Sequence, residues 1–141
     1  MKKLLCPKTY NCADLGLLIL RVAIGLMMAF SHGLGKVQKY FAGGEIKFPD
    51  PIGLGAGMSL FLAGTTEFFL SLMLVVGLAT RLVTIPLAIT MIVAAFIVHG
   101  DDPFGKKEFA LLYLAPYVAL FFTGPGKYSL DNLLCQKFKI N

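Results

Sequence analysis

Charge is what this sequence has least of. Asp, Glu, Lys and Arg make up only 15% of its 141 residues, and the net charge of +5 comes from basic residues scattered between apolar runs. No basic helix interleaved with aromatic side chains is present, which excludes a nucleic-acid platform. Anionic phospholipid headgroups are the better counterpart for the basic termini. Cysteine is equally uninformative: Cys6, Cys12 and Cys135 are odd in number and form no CxxC. Neither a disulfide framework nor a zinc site is indicated, and no metal is expected. The segment Gly124-Pro125-Gly126-Lys127-Tyr128-Ser129 lacks the Gly-Lys-Ser/Thr ending of a phosphate-binding loop, so nucleotide binding is set aside. No flavin, nicotinamide or iron–sulfur motif is visible, so any electron-transfer role needs a partner or a quinone. Only two apolar residues separate Lys3 from Cys6, too few for a lipoprotein signal; a transmembrane first segment with a short basic tail is the better reading.

What is present in quantity is apolar surface. Hydrophobic residues are 57% of the chain, and the mean hydropathy is +0.75. A soluble domain of this length would expose much of that surface to water, whereas lipid solvates it. The expected fold is all-α: a single-domain integral membrane four-helix bundle with a long outer loop between its first two helices. The spans fall at about 15–33, 56–78, 82–98 and 107–123, followed by a tail at 124–141. Asp14 can cap the first span. The fourth apolar run, Phe109 to Thr123, falls short of a ~30 Å hydrocarbon core, so either Lys106 and Lys107 snorkel at its start or the helix begins near Lys106 and extends past Thr123. Ala79-Thr80-Arg81 reads as a tight hairpin, Gly35 to Gly55 as a surface lid, and Ser129 or Asp131 as the start of an amphipathic tail helix.

Lys and Arg counts set the orientation. Lys2, Lys3, Lys8, Arg81, Lys127, Lys137 and Lys139 fall on one side, and Lys36, Lys39, Lys47, Lys106 and Lys107 on the other. Seven against five places both termini in the cytoplasm.

Charges at bilayer depth each require an account. With these span limits, Arg21 and Glu67 both lie roughly 16–18 Å from the outer end of antiparallel helices, so an Arg21–Glu67 ion pair is expected. Arg21, Gly25, Met28 and His32 share one stripe; Glu67 shares a face with Gly64 and Ser71. His99 sits above Ala95, Ile92 and Ala88. Glu108 begins a stripe with Leu112, Ala115 and Ala119, with Tyr113 alongside. The expected site is therefore a polar cleft of Arg21, His32, Lys36, Glu67, His99, Glu108 and Tyr113, with Arg21 and Glu67 as its floor. A purely structural account stands beside it: an Arg–Glu pair can simply fix helix register, and histidines at helix ends can be interfacial.

Leu20-Arg21-Val22-Ala23-Ile24-Gly25, continuing to His32-Gly33 and Lys36, resembles the opening of the DoxX family of small bacterial membrane proteins. The same holds for Glu67, Gly77-Leu78-Ala79-Thr80-Arg81, His99, Glu108 and the run from Gly124 to Asp131. The resemblance implies a four-helix bundle in the bacterial inner membrane. It also implies kinship with DoxD-type subunits of thiosulfate:quinone oxidoreductases and with proteins proposed to assist sulfur-related redox or oxidative-stress complexes. The leading expectation is a redox-associated subunit that binds a quinone-like or other small polar-headed molecule in the cleft. His32 or His99 would supply a proton, Arg21 would stabilise negative charge, and Glu67 would hold Arg21 or relay protons. A membrane scaffold for a soluble enzyme and a small anion or weak-acid carrier are the alternatives. Nothing in the spacing of His32 and His99 requires a haem; a redox partner and homo-oligomerisation stay open.

Overall fold

The computed structural model describes residues 12–138, which leaves Cys6 and the basic residues Lys2, Lys3, Lys8 and Lys139 outside the described part. All regular structure among the described residues is helical. Helix α1 spans Ala13–Phe41, α2 Ala56–Val76 and α3 Thr80–Val98, and each is long and apolar enough to cross a membrane. Helix α4 spans Phe104–Thr123, and a short α5, Leu130–Phe138, ends the described chain.

The core is drawn from all four long helices: Met28 from α1, Leu74 from α2, Leu87, Met91 and Ala95 from α3, and Tyr113, Tyr117 and Leu120 from α4. Helix α4 packs along α3 and touches α1, while α2 packs against both α1 and α3. The outer faces carry Ile19, Leu82, Phe96, Phe109 and Phe122, each more than half exposed. Large side chains exposed all round a packed core are stable where lipid is the solvent.

Helices α1 and α2 approach through glycine. A Cβ on Gly33 would stand 2.5 Å from the Phe68 nitrogen and 2.6 Å from the Glu67 carbonyl carbon; one on Gly25 would stand 2.9 Å from the Ser71 oxygen. Backbone therefore rests on backbone, the packing that small residues permit between apolar helices. Each of the three spanning-length helices also contains a π-helical turn: Ala29–Gly33, Thr66–Leu70 and Ala94–Val98. Such a turn inserts one residue into the α repeat and rotates everything beyond it.

Two sequence expectations change here. Helix α1 does not stop at Gly33 but continues through Lys36 and Lys39 to Phe41, so the connection to α2 shortens to residues 42–55. Hydropathy marked where the apolar run ended, but Lys and Gln are good helix formers and the helix carries on through them. The hairpin turn lies at Gly77–Ala79 rather than 79–81. Gly77 takes the left-handed conformation after α2, with the Leu78 N–H donating to Met73 O at 2.9 Å and the Gly77 N–H to Leu74 O at 3.0 Å. This is the bonding pattern of a Schellman end.

Gly33→Ala is expected to destabilise the protein by about 1–3 kcal/mol, because neither backbone at the contact can retreat cheaply. Gly35→Ala, where an added Cβ meets nothing within 4 Å, is expected to be neutral or stabilising by up to ~1 kcal/mol. Chemical unfolding in detergent, compared between the two variants, checks the contrast.

Candidate functional site

The polar residues separate into two clusters at different levels of the bundle. The first lies at the end holding the start of α1, the α2–α3 hairpin and the segment after α4. Arg21, 1% exposed, donates from Nη1 to Pro125 O at 2.6 Å and from Nη2 to Tyr128 O. Asp131 accepts from the Ala79 N–H at 2.6 Å and the Thr80 N–H at 2.9 Å, while its own N–H donates to Gly77 O at 2.9 Å. Asp14 accepts from the Lys127 N–H at 2.8 Å. Three distant segments are thus tied through backbone groups, and a guanidinium supplies the charge at the centre.

The second cluster lies towards the end with the 42–55 connection. Glu67, 3% exposed in the π turn of α2, is paired with Lys36 of α1. Lys36 also stands 6.0 Å above the Phe48 ring. Tyr113 packs edge-on against His32 with ring centroids 5.7 Å apart and stacks on Tyr117 at 6.3 Å. Tyr117 and Ser71 are fully buried, and neither hydroxyl has a hydrogen-bond partner. The two hydroxyls lie close enough to influence one another, without hydrogen-bond geometry.

The expected Arg21–Glu67 pair is not formed. Gly33, twelve residues beyond Arg21 on α1, is the residue that faces Glu67. At ~1.5 Å per residue this separates the two charges by roughly 18 Å along the helix. Extending α1 to Phe41 moved Arg21 away from the level of Glu67, and each charge found another partner. His32 is exposed, because the π turn in which it sits ends the stripe that began at Arg21. His99 is bound to Asp102 at 2.8 Å in the turn before α4. Glu108 is exposed and makes no hydrogen bond or ion pair among the described residues. Lys36 therefore pairs with Glu67 and His32 packs on Tyr113, whereas Arg21 belongs to the other cluster, and His99 and Glu108 stand apart at the α3–α4 turn. Among the described residues no group of three or more His, Cys, Asp or Glu could hold a metal ion.

Sequence reasoning missed Tyr117, Asp131 and Asp50. Tyr117 is one helical turn from Tyr113, so its place in the cluster was readable from spacing. Asp131 was visible only as a helix cap, since no periodicity links it to Arg21. Asp50 accepts from the Leu54 N–H, the Gly55 N–H and Ser59 Oγ at 2.8–2.9 Å and closes the start of α2. The Ser59 hydroxyl, followed by the backbone amides, holds its carboxyl below the usual carboxylate range. His99, then Lys106, does the same for Asp102.

Residues 16–100 match the family model for DoxX. The chain belongs to the DoxX family. That DoxX match takes in Arg21, Lys36, Glu67 and Ser71 but ends before Tyr113, Tyr117 and the segment that binds Arg21. Among related proteins, "Putative oxidoreductase CatD" of Bacillus subtilis is 37% identical over 84% of this chain and 86% of its own. An uncharacterized protein of Haemophilus influenzae is 31% identical over 86% of this chain and 85% of its own. "Inner membrane protein YqjF" of Escherichia coli is 28% identical over 89% and 96%. No solved structure matches the chain. With its apolar helices, this DoxX protein is a membrane protein.

Arg21→Met is expected to cost about 3 kcal/mol, since it strips two buried carbonyls of a charged donor. It should also open the 124–131 segment to trypsin at Lys127, and limited proteolysis beside a melting curve checks both effects. A second expectation follows from Asp50. Its folded pKa is depressed, so its contribution is complete above the unfolded value of ~3.9 and fades as pH falls through the lower folded value. Protection of the Leu54 and Gly55 amides, taken as exchange relative to the intrinsic rate at each pH, should therefore fall on acidification below about pH 4, and Asp50→Asn should remove most of that pH dependence.

Proposed function

We propose that this DoxX protein is a four-span subunit of the bacterial inner membrane that binds a quinone-like molecule at the Lys36–Glu67 cluster and serves a redox system. Helix α4 is the fourth span, with Lys106 and Lys107 snorkelling from its start. Both termini face the cytoplasm, on the side with more Lys and Arg. The observation that carries the reading is the Lys36–Glu67 pair: a carboxylate 3% exposed, held on a π turn between apolar helices, beside two hydroxyls that have no partner. Ionisable residues at such depth are retained for function more often than for stability. The CatD relative, named as an oxidoreductase, points the same way.

The donor set suits a head group with two carbonyl oxygens. Lys36 reaches the cluster from a partly exposed position, and the Tyr117 and Ser71 hydroxyls can each donate one hydrogen bond. An apolar hollow of about 70 Å³, lined by Val37, Tyr40, Leu60, Phe61 and Phe69 among others, opens between α1 and α2 one residue beyond Lys36. It has the size and lining for the start of a hydrocarbon tail. When bound, a quinone would supply the electron-accepting couple that the chain itself lacks. In this reading Lys36 holds the head group electrostatically, Glu67 fixes Lys36, and His32 with Tyr113 covers the approach. Arg21 is not part of the head-group site; its Nη1 and Nη2 donate to Pro125 and Tyr128.

Short-chain benzoquinone and naphthoquinone derivatives should raise the melting temperature of the purified protein by a few degrees. Glu67→Gln and Lys36→Met should each abolish that shift while leaving a folded protein. Shifts that persist undiminished in both variants would overturn the assignment.

A further inference from the structure

Arg81, at the start of α3, forms no ion pair among the described residues. Its one hydrogen bond there is a long one, 3.4 Å from Nη2 to Phe122 O. The other charges at this end are better provided. Arg21 has two carbonyls, Asp131 accepts two N–H groups, and Asp14 accepts from the Lys127 N–H. The exposed Arg81 guanidinium is nevertheless seated: it lies along Gly124, where an added Cβ would stand 3.5 Å from both Nε and Nη2.

Beside it runs an open groove of about 420 Å³ between the α2–α3 hairpin, the segment after α4 and the first turns of α5. Arg81, Leu82, Pro125, Asp131, Asn132 and Cys135 are in its lining. This is the size of a small-molecule site. Its level in the membrane follows from its neighbours. Leu82, the next residue on α3, is 70% exposed, and Phe122, near the end of α4, is 72% exposed. Such side chains belong against acyl chains, whereas the arginine beside them belongs at headgroup level. Helix α5 has the matching pattern of an interfacial helix: Leu130, Leu133 and Leu134 are exposed at i, i+3 and i+4, while Asp131, Asn132 and Cys135 turn to the groove.

We propose that this groove holds the headgroup of an anionic phospholipid, with its phosphodiester on Arg81. Charge selects the class, since Arg21, Arg81 and Lys127 outnumber Asp14 and Asp131 at this end. The two non-bridging oxygens of a phosphodiester fit the guanidinium fork, and the Arg81 Nε and Nη1 have no partner among the described residues. A glycerol head, as in phosphatidylglycerol, adds hydroxyls that donate to acceptors in the lining. Asn132 uses Nδ2 on Lys127 O, which leaves its Oδ1 as one acceptor, and the Asp131 carboxylate has lone pairs beyond its two N–H bonds. The acyl chains lie against Leu82 and Phe122. Bound in this way, the lipid bridges α3 and α5 and fastens the tail to the bundle, independently of anything held at the Lys36–Glu67 pair.

The test uses the full chain in detergent micelles, with phosphatidylglycerol, phosphatidylethanolamine or phosphatidylcholine of matched chain length added. Native mass spectrometry should show one phosphatidylglycerol retained in preference to the other two. Arg81→Gln, an exposed change that should leave the melting curve in detergent alone nearly unaltered, should weaken that retention about fivefold, the scale of one basic residue at an anionic surface. Lys106→Gln, an equal loss of charge at the other end of the bundle, should leave it unchanged. Maleimide labelling of Cys135, measured relative to Cys12, should slow with phosphatidylglycerol and not with inorganic phosphate at the same concentration. Equal retention of the three lipids would overturn the proposal, as would equal losses in the two variants or a Cys135 that phosphatidylglycerol does not protect. Protection by inorganic phosphate alone would overturn it too, by assigning the groove to the free ion.

Discussion

A guanidinium buried among apolar helices must be surrounded by oxygen, and the requirement of Arg21 for acceptors organises one whole end of this protein. The Pro125 and Tyr128 carbonyls meet it, which draws the segment after α4 back across the start of α1. Once that segment is in place, Asp131 falls beside the α2–α3 hairpin and binds two backbone N–H groups there. One of them belongs to Ala79, the only non-glycine residue among those described with positive φ, at 50°. Left-handed geometry at a residue with a Cβ costs of order 1 kcal/mol, and the carboxylate of Asp131 offsets it. Arginine suits this task better than lysine, because its planar fork addresses two carbonyls at once and its charge is not lost on burial.

The opposite end is built on a different principle. Pairs of side chains join the backbone contacts there: Lys36 with Glu67, His99 with Asp102, Lys106 with Asp102 and Asp50 with Ser59. The α1 and α2 π turns, Ala29–Gly33 and Thr66–Leu70, face each other across the Gly33 contact. A π turn is less stable than the α repeat it interrupts and is commonly found where a side chain must be re-aimed. Here the re-aiming turns Glu67 inwards and His32 outwards. The functional cluster is therefore seated where the helices depart from regularity, and the tail-bound end, where α1 and the start of α3 are regular, acts as the frame.

Much of this was legible from sequence, and the failures have specific causes. Apolar runs of spanning length marked the helices because lipid exposure and core burial both select the same residues. The ionisable positions that matter, Arg21, Lys36 and Glu67, stood out because charge is scarce. Their partnership was misread for two physical reasons. Hydropathy located the end of the apolar run at Gly33 rather than the end of the helix at Phe41, an error of eight residues and roughly 12 Å. The stripe from Arg21 to His32 then assumed an uninterrupted α repeat, and hydrophobic periodicity does not announce a π turn. The Asp131 contacts were invisible because a side chain binding backbone N–H groups 51 and 52 residues away leaves no periodic signature.

The Arg21 arrangement also has a temporal side. Its acceptors are the carbonyls of residues 104 and 107 positions further along the chain. At synthesis rates of about 5–20 residues per second, α1 is complete some 4–17 s before Pro125 and Tyr128 exist. During that interval the first helix carries an unmatched arginine, a burden of about 2.5–3.5 kcal/mol on insertion scales. The Leu, Ile, Val and Met residues around Arg21 must outweigh it unaided. The hydrophobicity of α1 is in this sense set by the waiting period before the tail arrives, not only by the finished bundle.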